Sequence, residues 1–270
     1  MSFLSSLLIV FVAGLITALA TALGAVPFFI FDEISDRWTV ALWGVAGGIM
    51  LSASFFGLIL KGISNGAYVK VGAGLLLGAL LVEFAGRMIH DYEFAPREIA
   101  EADFAKLVLI LGVLTVHSFP EGVAIGVAFA DLGVKTGVLK SMTFLGLTVP
   151  LLGIFMTLAI SIQNVPEGLA VSIPLHSFDY SKTDMVKASI FSSLPQPLGA
   201  VIAFYFVSIA RDFLPIGFGF AAGAMIFLVY EEMVPEALEQ GENLPRSGLK
   251  YIVAGLLVGF ISMSPFALFL

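Results

Sequence analysis

The stretch MSFLSSLLIVFVAGLITALATALGAVPFF, residues 1–29, contains no charged side chain. About 20 apolar residues cross the hydrocarbon core of a bilayer, so this run predicts a membrane helix. It lacks the basic n-region of a secretory signal and is longer than a cleaved one, which makes it the expected first span. The rest of the chain repeats the pattern. Of its 270 residues, 59% are hydrophobic and 12% charged, and the mean hydropathy is +1.03. Soluble domains carry roughly 25% charged residues, enough to cover a water-facing surface, and this chain has about half that. Its 28 Gly and 25 Phe fit the same class, since Gly is enriched in membrane helices. The composition predicts an all-α integral membrane protein forming a single transmembrane domain over 1–270.

Applying the 20-residue length along the chain gives eight transmembrane helices, near 3–31, 38–60, 67–90, 104–131, 147–176, 184–208, 214–238 and 248–270. The piece 132–146 reads equally as a loop, a short interfacial helix or the start of the fifth helix. With both termini extracytoplasmic, eight Lys and Arg fall on the cytoplasmic side and five outside. The positive-inside rule favours that orientation in the cell membrane. The absence of Cys excludes disulfides, thiolate metal sites and cysteine nucleophiles. The net charge of −7 argues against nucleic acid as a partner.

Two octets stand out in these apolar surroundings: TVHSFPEG (115–122) and SIQNVPEG (161–168). A carboxylate in mid-membrane costs on the order of 2.5–3.5 kcal/mol on insertion scales and persists where it meets a cation, a proton or water. His117 and Glu121 are four apart and share one helix face, as do Gln163 and Glu167. Facing the two stripes brings together an imidazole, an amide oxygen and two carboxylates. Pro120 and Pro166 cannot donate to the carbonyls of Val116 and Ile162, while Gly122 and Gly168 let a neighbouring backbone come close. Two carboxylates balance one divalent ion, and nitrogen with oxygen donors suits zinc, iron or a related first-row metal. Internal similarity accompanies the octets. AGGIMLSASFF in the second helix resembles AAGAMIFLVYEE in the seventh, the pattern an inverted repeat would leave in a transporter.

HSFPEG, QNVPEG, SSLPQPLGA (192–200) and EEMVPE (231–236) together resemble the ZIP family of divalent-metal transporters, in its bacterial GufA-like branch. The resemblance implies a ZIP-like bundle with His117, Glu121, Gln163 and Glu167 as ligands midway along the transport path. It also implies a second metal position, occupied here by Ser118, Asn164 and Gln196. None of these carries a charge, so a single core metal is expected. Glu231 and Glu232 fall where the family places a metal exit. The acidic loop 90–106, with His90, is read as solvated, and His176, at the end of the fifth helix beside Ser177 and Asp179, as a loop histidine rather than a ligand.

The expected activity is transport of Zn²⁺ or a related divalent metal toward the cytoplasm by alternating access, with no cofactor. The expected partners are the metal and membrane lipid, a homodimer being left open. Two other classes were weighed. An intramembrane zinc hydrolase needs a water-activating Glu beside a ligand His, and H-E-x-x-H is absent from the sequence. A proton-coupled carrier of another solute would show a mid-helix counter-charge, and the fourth and fifth helices carry no Lys or Arg at their centres.

Overall fold

The computed structural model describes residues 2–31, 34–64, 66–90, 117–132, 139–144 and 147–267. The segment 91–116, which holds most of the acidic loop and the start of the predicted fourth helix, lies outside them. Seven helices among the described residues are long and apolar enough to cross a membrane. These are α1 (Phe3–Phe29), α2 (Asp36–Ile63), α3 (Tyr68–Arg87), α5 (Leu151–His176), α6 (Lys182–Ile209), α7 (Arg211–Gln240) and α8 (Pro245–Pro265). The predicted fourth helix is described over 117–128 and is labelled α4.

One boundary differs from expectation. Two strands, β1 (Ser141–Phe144) and β2 (Leu147–Pro150), pair antiparallel, and α5 begins at Leu151 rather than at 147. Pro150 occupies the N-cap with extended backbone (ψ 130°). Thr143 and Thr148 face each other across the hairpin with hydroxyls 3.1 Å apart, a cross-strand pair that favours β structure over a helical start.

Glycine sets the arrangement of the helices. On α2, a methyl group at Gly48 would lie 2.2 Å from the Leu256 carbonyl oxygen of α8. On α7, one at Gly223 would lie 2.1 Å from the Leu75 carbonyl oxygen of α3. Gly44 meets Gly255 as Gly219 meets Gly74, and Gly259 meets the Val45 carbonyl as Gly78 meets that of Phe220. No other residue fits such backbone contacts. The same equivalence relates the remaining helices. Gly122 of α4 packs on the Gln196 carbonyl of α6 at 2.1 Å, and Gly168 of α5 on the Thr21 carbonyl of α1 at 1.8 Å, again measured to an added methyl. The pairings of α1–α3 therefore recur in α6–α8, with α4 and α5 matched to each other, as the inverted repeat requires.

Both α2 and α7 break into π-helix at matching places, Ala53–Ile59 and Val229–Met233. Such bulges are frequent at functional sites. Helices α2 and α5 are the most enclosed, whereas α1, α3 and α8 turn large apolar side chains outward, among them Leu8, Leu76, Phe84 and Ile261.

Candidate metal-transport site

The α4 and α5 octets meet in the interior. Glu121 and Gln163 are fully buried and Glu167 is 7% exposed. Gly122 and Gly168 allow this by letting α4 and α5 lie directly on the backbones of α6 and α1. Glu121 accepts from Gln163 Nε2 at 2.6 Å and from Gln196 Nε2 at 2.5 Å. The carboxyl of Glu167 neighbours it in the same buried interior. Two neighbouring carboxyl groups inside an apolar bundle need either a shared proton or a cation between them.

His117 sits one turn from Glu121, with its Nε2 against Glu232 Oε1 of α7. The α7 π-helix divides its two acids. Glu232 reaches His117, while the adjacent Glu231 is exposed. Both line a cavity of about 210 Å³ together with Phe227, Glu83 and Arg87, the last two forming an ion pair on α3. The predicted exit residues thus fall in two places, one joined to the core and one in the adjoining cavity.

Among the described residues, no three His, Asp or Glu side chains close into a ligating cluster. The partners of Glu121 are amides instead. Gln163 turns its nitrogen to Glu121, leaving Oε1 buried without a partner. Turning that amide over would present oxygen to an ion at the same point, and amide orientation is itself assigned from the hydrogen-bond network.

The three residues expected at a second metal position are engaged with protein. Ser118 Oγ donates to the Ser192 carbonyl at 2.9 Å. Asn164 Nδ2 donates to the Thr17 carbonyl at 2.8 Å and to Gln196 Oε1 at 3.1 Å. Gln196 Oε1 also accepts from the Thr17 hydroxyl at 2.7 Å. Of the remaining histidines, His176 stacks on Phe28 with ring centroids 4.9 Å apart, and the side chain of His90 lies outside the description.

Residues 95–267 match the ZIP Zinc transporter family. The chain belongs to the ZIP family of zinc transporters. It is accordingly a multi-pass membrane transporter and not an enzyme. The ZIP relatives include zinc transporter ZIPB of Bordetella bronchiseptica, 34% identical over 90% of this chain and 75% of its own length. Zinc transporter GufA of Myxococcus xanthus is 28% identical over 93% and 94% respectively. A longer Arabidopsis thaliana protein, provisionally named a zinc transporter, is 41% identical over 83% of this chain, which spans 33% of that relative's length.

Two features of this ZIP protein escaped sequence reasoning. Thr17 of α1 reaches the site through both its hydroxyl and its carbonyl, but hydroxyl residues are common in membrane helices and its spacing gave no signal. The buried Asp131, just past α4, ion-pairs with Arg211 at the start of α7 and accepts from the Leu139 amide at 2.7 Å. An acid inside the apolar run VAFADLG was the available clue.

Proposed function

We propose that this protein carries Zn²⁺, or a related divalent metal, toward the cytoplasm by alternating access, one ion at a time, through a midplane site between Glu121 and Glu167. The observation that carries this reading is the burial of two neighbouring carboxyls on helices built from similar octets. Two carboxylates neutralise one divalent ion. His117 supplies nitrogen, and the orphaned Gln163 Oε1 supplies oxygen once its amide turns. Four donors of this kind, whose charge balances one divalent ion, suit zinc.

Glu232 contacts His117 on one side and opens on the cavity with Glu231 on the other. It offers an ion leaving the core its next carboxylate, on the way to the cytoplasmic side.

The packing suggests which parts move. Helices α1, α4, α5 and α6 meet through glycine on backbone, as do α2 with α8 and α3 with α7. Between these groups glycine meets side chains instead: Gly57 faces Leu152, Phe155 and Met156, and Gly217 faces Val127 and Val207. Side-chain surfaces slide more readily than interlocked backbones. The first group would carry the ion past the second, with both termini outside the cell.

Radiozinc uptake into proteoliposomes tests the assignment. Glu121→Ala and Glu167→Ala each leave one carboxylate against a divalent ion in a low dielectric, where charge balance matters most. Both should abolish uptake, and near-wild-type transport by both would remove the basis for the site.

A further inference from the structure

The inverted repeat supplies an internal comparison at the site. Thr17 of α1 and Ser192 of α6 occupy equivalent places. Thr17 Oγ1 lies 2.8 Å from the carbonyl of Gly14, and Ser192 Oγ 2.9 Å from that of Ser189. The Thr17 carbonyl accepts from Asn164 of α5, and the Ser192 carbonyl from Ser118 of α4. These shared bonds belong to the architecture. One bond is not shared: the Thr17 hydroxyl also meets Gln196 Oε1, at 2.7 Å.

The polarity of this network follows from its backbone acceptors. A backbone carbonyl can only accept, so Asn164 must turn its nitrogen to the Thr17 carbonyl. Its second hydrogen then faces Gln196, which must present oxygen there, and the single proton of the Thr17 hydroxyl is shared between that oxygen and the Gly14 carbonyl. The Gln196 nitrogen is thereby directed onto Glu121 Oε2, at 2.5 Å. Asn164 Oδ1 is left buried with no partner, the cost of holding this orientation. Thr17, Asn164 and Gln196 are all fully buried, out of reach of bulk solvent.

We propose that Thr17 is a specificity-determining positioning residue: by locking the Gln196 amide, it keeps an N–H on Glu121 Oε2 and withholds that oxygen from the transported ion. This rests on the core-site reading above. A carboxylate with one oxygen occupied binds a metal through the other alone. That suits the low coordination number of zinc and disfavours ions such as Mn²⁺ that prefer more oxygen donors. Loss of the hydroxyl lets the amide turn or withdraw, freeing an oxygen of Glu121 or adding that of Gln196.

The test is radiozinc uptake into proteoliposomes with Mn²⁺ as competitor, read as the ratio of half-saturating concentrations. Thr17→Val should lower discrimination in favour of zinc about fivefold, what one ordinary hydrogen bond is worth in an equilibrium. Thr17→Ser, which keeps the hydroxyl, should retain the wild-type ratio. In a Gln196→Ala background, Thr17→Val should change nothing further, since its effect runs through that amide. An unchanged ratio in folded Thr17→Val, or the same shift with and without Gln196, overturns the proposal. Should Thr17→Val not fold, Gln196→Ala alone must lower the ratio by at least as much, and a wild-type ratio there overturns it. Glu121→Ala separates the two levels: wild-type uptake in that variant removes the core site itself, whereas lost uptake there with an unchanged ratio in Thr17→Val removes only the role of Thr17.

Discussion

Glu121 shows how far a single residue's chemistry can be read in advance. Its i−4 spacing from His117 and the matching Gln163–Glu167 pair were legible, because helical geometry brings such residues onto one face whatever surrounds them. Its contacts with Gln163 and Gln196 were not, since they depend on which way two amides point. Thr17 was invisible for a similar reason: its importance lies in a partner 179 positions away. At the second metal position, Ser118, Asn164 and Gln196 hydrogen-bond to protein and bring no charge. A second ion there would add about two positive charges without compensation, in surroundings where even one unpaired charge is costly. The double change Asn164→Asp with Gln196→Glu should therefore raise core stoichiometry from one metal to two, all the more with Ser118→Asn. Equilibrium metal counting with Glu231 and Glu232 neutralised reads this directly, and a count that stays at one shows that charge is not what excludes the second ion.

Among the elements, seven spans were recognisable from apolar length alone, because a bilayer imposes that length on any helix crossing it. The β1–β2 hairpin was not. Its residues continue the apolar run into α5, and the cross-strand partners Met142 and Val149 look no different in a helix. The junctions between elements make sharper predictions. Asp131 is 1% exposed and held by Arg211. Arg211 is 41% exposed, so water screens its side of the pair and removing it costs less than breaking a fully buried one. Arg211→Ala should lower the thermal midpoint, and adding Asp131→Asn should recover part of the loss. Equal midpoints for wild type and Arg211→Ala would mean the pair carries no stability. Gly168→Val should prevent accumulation of folded protein, because even a methyl group there would stand 1.8 Å from the Thr21 carbonyl oxygen. Gly72→Ala, where an added methyl meets nothing within 4 Å, is the matched control.

The whole molecule is a repeat whose two halves share backbone contacts more clearly than they share sequence. AGGIMLSASFF and AAGAMIFLVYEE hinted at it, and Gly48 and Gly223 within them make equivalent contacts with α8 and α3. The paired octets marked it in α4 and α5, but the remaining equivalent contacts rest on carbonyl oxygens, which every residue has, so sequence comparison could not find them. Relative movement of the two groups of helices is open to a direct check, since the chain contains no Cys and introduced thiols have no competitors. A Cβ placed on Gly217 of α7 lies 3.9 Å from Val127 Cβ of α4, within the separation a disulfide needs. Gly217→Cys with Val127→Cys should stop uptake when oxidised and recover it on reduction. Undiminished uptake by the fully cross-linked protein would show that these helices do not separate during transport. Anomalous scattering from zinc-soaked crystals reads out whether one ion is held between the two octets. One strong core peak is expected between Glu121 and Glu167, within ligating distance of His117 and Gln163. Two fully occupied core peaks, or none between those carboxylates, would contradict it.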